Sequence, residues 1–281
     1  MLKHPYISIQ CEDGSVSYGG NQSWLPTPAE RSFGCGFIAA ADILRYLKER
    51  EKLNSRESDS EKSDSEKPDS GKADSEKLDS EKLDSEEMRF ERVNSGKTSL
   101  TKKQYLEDML LLSGDFPVRG KLGITGFGLA RRMNRLFRRE GLPYRAKWSI
   151  GKKRLLRRLS EMLDADIPVL LSAGPGFFHK EGRLALYTSE GGGFRKTNSM
   201  RDHYVTVTGR IRMKVAAGNA LESAENCAAE NAVAGLSEEE TLYRISSWGG
   251  EYYIREREYL DYAAQYDNFL FSNILYIRRT E

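Results

Sequence analysis

Ser32-Phe33-Gly34-Cys35-Gly36-Phe37-Ile38-Ala39-Ala40-Ala41-Asp42-Ile43-Leu44-Arg45-Tyr46-Leu47 is the stretch around which the rest of the chain can be placed. Phe37, Ala40 or Ala41, Leu44 and Leu47 recur at three- and four-residue spacing, the mark of one helical face. Ile38, Ala39, Ile43 and Tyr46 widen that face until only Asp42 and Arg45 are expected to look outward, which predicts a central, buried helix. Gly34 and Gly36 permit turns that a side chain would resist. Cys35 would then stand in the first helical turn, where unpaired N–H groups and the helix dipole favour a thiolate. The plainer alternative is a small buried hydrophobe.

With 281 residues the chain can bury a substantial core. Its 44 Lys and Arg against 42 Asp and Glu leave bulk charge near balance, so charge as a whole names no partner. A hydrophobic content of 38% is low for a globular domain and implies that part of the chain is not core. Cys11, Cys35 and Cys227 form no CxxC pair, which argues against a disulfide framework or a cysteine-rich zinc site. The first residues lead into an alternating segment without a secretory apolar stretch, and no run is long enough to span a bilayer. The expectation is a cytoplasmic protein.

Residues 6 to 18 read as a hairpin turning at Glu12-Asp13-Gly14. The Cys35 helix is expected to fade near Arg50 into a five-residue repeat, Asp59-Ser60-Glu61-Lys62 being its first copy. Residues 51–98 are accordingly expected to form a disordered insertion, because the repeat lacks the apolar groups needed to offset ordering entropy. Thr101 with Gln104 predicts a capped helix whose buried face is Tyr105, Leu106, Met109 and Leu110. Gly123 to Gly128 opens another helix, with Leu129, Met133, Leu136 and Phe137 on one face. The glycines there lack the lysine and hydroxyl of a phosphate loop. Residues 131 to 158 carry a dense basic set that falls on the polar sides of amphipathic helices. That face is expected to be solvated, or to meet an acidic partner, and no nucleic-acid partner is expected.

Beyond Asp166 the period changes to that of strands. Ile167 to Ala173, Arg183 to Thr188, His203 to Arg210, Thr241 to Ser246, Glu251 to Arg255 and Asn273 to Arg278 predict an antiparallel sheet, with a helix over Glu258 to Gln265. An Ala/Glu-rich insertion is expected at 214–240; it holds Cys227, which is discounted as catalytic. The fold class is α+β.

A cysteine at a helix start, a histidine at a strand start and a Ser-Ser-Trp-Gly turn on a later strand follow one another in chain order. A thiol nucleophile needs a base, a group that orients the base, and N–H donors for the developing oxyanion. Gly34-Cys35-Gly36, Asp202-His203-Tyr204-Val205-Thr206-Val207-Thr208-Gly209 and Ile245-Ser246-Ser247-Trp248-Gly249-Gly250 together resemble the papain-like cysteine peptidases, and most closely their C39-like branch. The resemblance covers most of the chain outside the two insertions. It implies a papain-like fold, with the cysteine helix packed on the histidine sheet.

It also implies Cys35 as nucleophile, His203 as base and Gln22 as the oxyanion-hole glutamine. Gln22 lies thirteen residues upstream of Cys35 and can serve only if Leu25 to Phe33 bulges outward. Ser246 stands where the family has an orienting Asn or Asp, and Trp248 matches the tryptophan that shields the histidine. His179 is a lesser rival base, and His4 is expected at the surface. The implied activity is a peptidase or amide hydrolase acting through an acyl-thioenzyme on a peptide or protein substrate. No metal, nucleotide or organic cofactor is implied. Two other readings remain open. One is a papain-fold binding module without turnover, favoured by the uncharged Ser246; the other is an anionic-surface binder working through residues 131 to 158.

Overall fold

The computed structural model describes residues 1–64, 100–116, 123–175, 181–215 and 238–280. Two sheets and six α-helices are present among them. Strands β1 (Ser8–Gln10) and β2 (Val16–Tyr18) form the expected hairpin, and β3 (Leu100–Thr101) joins β1 in parallel. Helices α1 (Pro28–Phe33) and α2 (Cys35–Asp64) follow the hairpin. Next come α3 (Lys102–Ser113), α4 (Gly126–Arg139), strand β4 (Tyr144–Trp148) and α5 (Leu155–Asp164). The remaining elements are β5 (Val169–Ala173), β6 (Leu184–Glu190), β7 (Gly193–Met200), β8 (His203–Val215), β9 (Glu238–Ser247), β10 (Gly250–Arg255), α6 (Glu256–Gln265) and β11 (Ile274–Arg279).

The large sheet has eight antiparallel strands in the order β4-β11-β5-β8-β9-β10-β6-β7. Its centre is dry because β5 is buried along its whole length. Helix α2 packs on β8 and β5 at this centre, and Phe37, Ile43, Leu44 and Leu47 are nearly inaccessible. An apolar helical face meeting an apolar strand pair is the two-layer arrangement that buries both. The fold is therefore α+β with a large antiparallel sheet.

Several expectations are corrected. Asp42 does not look outward: only 1% of it is exposed. Helix α2 continues to Asp64 instead of fading near Arg50. The apolar period does end there, but polar anchors take over. Buried Arg50 donates to the Ala165 carbonyl at 2.8 Å and to that of Asp166, and Arg279 donates to Glu51 at 2.9 Å. The repeat from residue 65 to 98 lies outside the described residues, as do His179 and Cys227.

Residues 144 to 148 form strand β4 rather than part of a helix, with Tyr144, Ala146 and Trp148 buried while Arg145 and Lys147 face out. The polar strand β7, hairpinned to β6, lies outside the expected strands because it has no apolar alternation. Leu110 is exposed, so the buried face of α3 reduces to Tyr105 and Met109. At the second insertion, β8 runs to Val215 and β9 resumes at Glu238; residues 216–237 lie outside the described set.

Candidate active site

Cys35 is the first residue of α2, directly after the α1 cap residue Gly34. His203 opens β8, preceded by Asp202 in the left-handed region at φ 50°. The two side chains line one small cavity with Gly20, Gln22, Asp42, Tyr204, Thr206, Ser246, Ser247 and Trp248. Residues separated by 168 positions line the same cavity because α2 lies along β8. The free volume is only about 10 Å³, so the walls are nearly closed on one another.

Ser247, not Ser246, holds the histidine. His203 Nε2 and Ser247 Oγ are 2.8 Å apart, whereas the Ser246 hydroxyl donates to the Tyr18 carbonyl at 2.6 Å. Strand register explains the one-residue difference. Val207 pairs with Ile245 and Thr206 with Ser246. Successive side chains on a strand point to opposite faces, so Ser247 shares the face of Ile245, Val207, Val205 and His203. Ser246 belongs to the other face.

Trp248 lies against the histidine ring with centroids 4.4 Å apart and an interplanar angle of 19°. It reaches that position from a two-residue turn, Trp248-Gly249, in which φ is 49° and then 76°. Such turns suit the twist of a hairpin but disfavour a bulky first residue. The conformation is held from outside the turn. Asn21 Nδ2 donates to the Trp248 carbonyl at 2.7 Å, and the Tyr18 amide donates to the Gly249 carbonyl at 2.8 Å. The hairpin of residues 8 to 18 and the following loop thus clamp the Ser-Ser-Trp-Gly turn over His203.

Gln22 does reach the cavity. The intervening residues coil into α1, whose start is fixed by Thr27 and Glu30 in a reciprocal capping box. This compact turn absorbs the thirteen-residue spacing and brings Gln22 back beside Cys35. Gln22 Nε2 donates one hydrogen to the Arg31 carbonyl at 2.8 Å. A carboxamide nitrogen carries two, so a second donor is left.

Asp42 is the residue that the sequence hid. It lies two turns down α2 from Cys35 and accepts from the Tyr105 hydroxyl at 2.7 Å, the Gly20 amide at 3.0 Å and the Tyr6 hydroxyl at 3.2 Å. A side chain at Gly19 would come within 2.4 Å of Ser246 Oγ and 2.7 Å of Asp42 Oδ2, and φ there is 78°. Only glycine fits. The carboxyl therefore ties the loop carrying Gln22 to the helix carrying Cys35. Burial pushes its pKa up to about 6, against the lowering effect of its three donors.

The electrostatics of the pair differ from a preformed thiolate and imidazolium. Burial pushes the Cys35 thiol up to about 11, although the backbone N–H groups of Tyr204 and Gly36 favour the thiolate. Burial pulls the His203 imidazole down to about 4. The helix terminus acts in the expected direction, but desolvation outweighs it. At neutral pH both groups therefore rest neutral, Cys35 as the thiol and His203 as the uncharged imidazole.

No family model, no curated protein and no solved structure matches the chain. The site therefore stands on its own residues. Among the described residues, no cluster of His, Cys, Asp or Glu could hold a metal ion. His4 is tied elsewhere, its Nδ1 lying 2.5 Å from Asp166 Oδ2.

Proposed function

We propose that the chain is a cysteine-dependent acyl-transfer enzyme, a peptidase or amide hydrolase of papain-like, C39-like type. The observation that carries this reading is the convergence of Cys35, His203, Ser247, Trp248 and Gln22 on one cavity. Ser247 occupies His203 Nε2, so Nδ1 is the nitrogen left to take the thiol proton. Because both groups rest neutral, His203 acts as a general base during attack rather than as the standing partner of a thiolate. Cys35 Sγ would add to an acyl carbon, His203 would return the proton to the leaving group, and water would release the acyl group. The free Gln22 amide hydrogen and backbone N–H groups at the start of α2 are the donors available to the oxyanion.

A small activated ester, p-nitrophenyl acetate, tests the acyl step without knowledge of the natural substrate. The expected result is an acetyl group mapped to Cys35 by peptide mass spectrometry, with turnover. It should form slowly in His203→Ala and not at all in Cys35→Ala. Acetylation of Cys35 no faster than that of Cys11, or unchanged by His203→Ala, sinks the enzyme reading. The second reading, a binding module on the same scaffold, is favoured by the nearly closed cavity and the absence of charge on Ser247. It expects no acyl-enzyme at all.

A further inference from the structure

Trp148 ends β4 beneath an unusual surface. Its ring is buried against Gly126 at the start of α4, where an added Cβ would fall 2.2 Å from the indole. Its Nε1 donates to the Leu270 carbonyl at 2.7 Å. Around this anchor three large apolar side chains stand out: Phe127 next to Gly126, Ile150 two residues beyond Trp148, and Leu270 itself. They are 52%, 57% and 38% exposed. Isolated exposed apolar residues need no account, but three from separate segments around one anchor do.

The same region holds a cavity of about 350 Å³ lined by Lys147, Lys152, Lys153, Arg154 and Arg158 together with Trp148 and Ile150. Among the described residues, no carboxylate lines it. Lys152 lies over the Phe269 ring at 5.9 Å, and Arg158 donates to Ser149 at 2.8 Å. None of the five cations has a carboxylate partner among the described residues. Three of them, Lys152, Lys153 and Arg154, also crowd the start of α5, which has no side-chain cap and no acidic residue in its first turn. Cations at a helix N-terminus oppose its dipole, so the arrangement is unfavourable until an anion arrives.

We infer that this face docks on an anionic lipid surface, with Phe127, Ile150 and Leu270 entering between headgroups and the lysines and arginines meeting phosphates. A protein partner would need contiguous complementary area. A fluid bilayer accepts separated apolar side chains with diffuse positive charge between them, and long basic side chains adjust to its boundary. The face also lies near the candidate active site. The Trp148 ring meets Tyr204 edge-on at 6.3 Å, and the Tyr204 amide faces the Cys35 sulfur. Docking would bring the cavity of Cys35 close to molecules held at that surface.

The test is co-sedimentation of the full chain with two kinds of vesicle, phosphatidylcholine alone and phosphatidylcholine mixed with phosphatidylglycerol, at low and at raised salt. Binding is expected to the anionic vesicles only, weakening as salt rises. The double variant Lys152→Glu/Lys153→Glu should lower it by about tenfold or more. Phe127→Glu/Ile150→Glu should lower it at either salt, while Val16→Glu, which alters another exposed apolar residue, should leave it unchanged. Cys35→Ala should bind like the parent, so the outcome does not depend on catalysis. Should a double variant fail to fold, the salt response of the unaltered chain decides. Equal binding to both vesicles, no binding, or capture by soluble poly-glutamate with none by vesicles would overturn the inference, the last in favour of an acidic polypeptide.

Discussion

Two cavities on this molecule use polar side chains in opposite ways. Around Cys35 only about 10 Å³ is free, and the buried polar groups find their partners inside the protein. Ser247 meets His203, Ser246 meets Tyr18, and Asp42 meets Tyr6, Tyr105 and Gly20. Around Trp148 about 350 Å³ is open, and five cations face it with no carboxylate among the described residues. A buried polar group must be satisfied by its own fold, because leaving it bare costs about 1 to 3 kcal/mol. An exposed charge carries little such penalty and can wait for a ligand. On the functions proposed above, the first cavity serves chemistry and the second recognition, so substitutions in each should fail differently.

The largest effect should come from Cys35, the proposed nucleophile. Cys35→Ala is expected to lower acyl transfer by about 10⁴-fold or more, and His203→Ala by roughly 10² to 10⁴-fold. Both are read as kcat/KM on p-nitrophenyl acetate. Loss of the same size from Lys152→Glu would break the division between the two cavities.

Stability against pH should follow the buried pair. His203 is held at about 4 in the folded chain against about 6.5 unfolded, so the unfolded state binds more protons in that interval. Stability contributed by neutral His203 is present above pH 6.5 and lost as pH falls toward 4. The shift corresponds to about 3 kcal/mol. Asp42, raised to about 6, works the other way between about 3.8 and 6, because its folded carboxyl keeps its proton longer. Urea midpoints measured from pH 4 to 7 should therefore fall more steeply on acidification in Asp42→Asn than in the parent. A shallower fall would mean that Asp42 is ionised throughout.

The two serines give a smaller and sharper contrast. Ser247→Ala should reduce kcat by about 3- to 10-fold, the worth of one hydrogen bond to the ring, with KM little changed. Ser246→Ala should cost about 1 kcal/mol of stability, since it leaves the part-buried Tyr18 carbonyl without this donor, while leaving the pH profile of kcat in place. The reverse pattern would restore Ser246 as the orienting residue. The smallest effect is expected from Ile150→Glu assayed on a soluble ester, where kcat/KM should change by less than about twofold, as for a surface site away from the reacting groups.

The sequence carried what depends on near neighbours. Apolar spacing placed the Cys35 helix, alternation placed the strand that begins at His203, and Thr101 with Gln104 marked a capping box that the structure contains. The bulk of the sheet was legible for the same reason. Strand β7 was not, because only Met200 of its residues is buried and no apolar rhythm marks the rest. Helical period also misplaced Asp42, since a charged residue on a broad apolar face reads as the solvent side. Tyr6, Gly20 and Tyr105, which satisfy it, lie 36, 22 and 63 positions away.

What only the tertiary structure decided follows from such distant meetings. Whether Ser246 or Ser247 faces His203 depends on the pairing of β8 with β9, and a shift of one residue exchanges them. Whether Gln22 reaches Cys35 depends on α1 folding the intervening chain into a compact turn. The protonation of the pair depends on how much water the assembled walls exclude, and here that exclusion outweighs the helix terminus. Local propensity can name a nucleophile and a base by type and position. Their charge, their orienting partner and the access of solvent to them are properties of the packed whole.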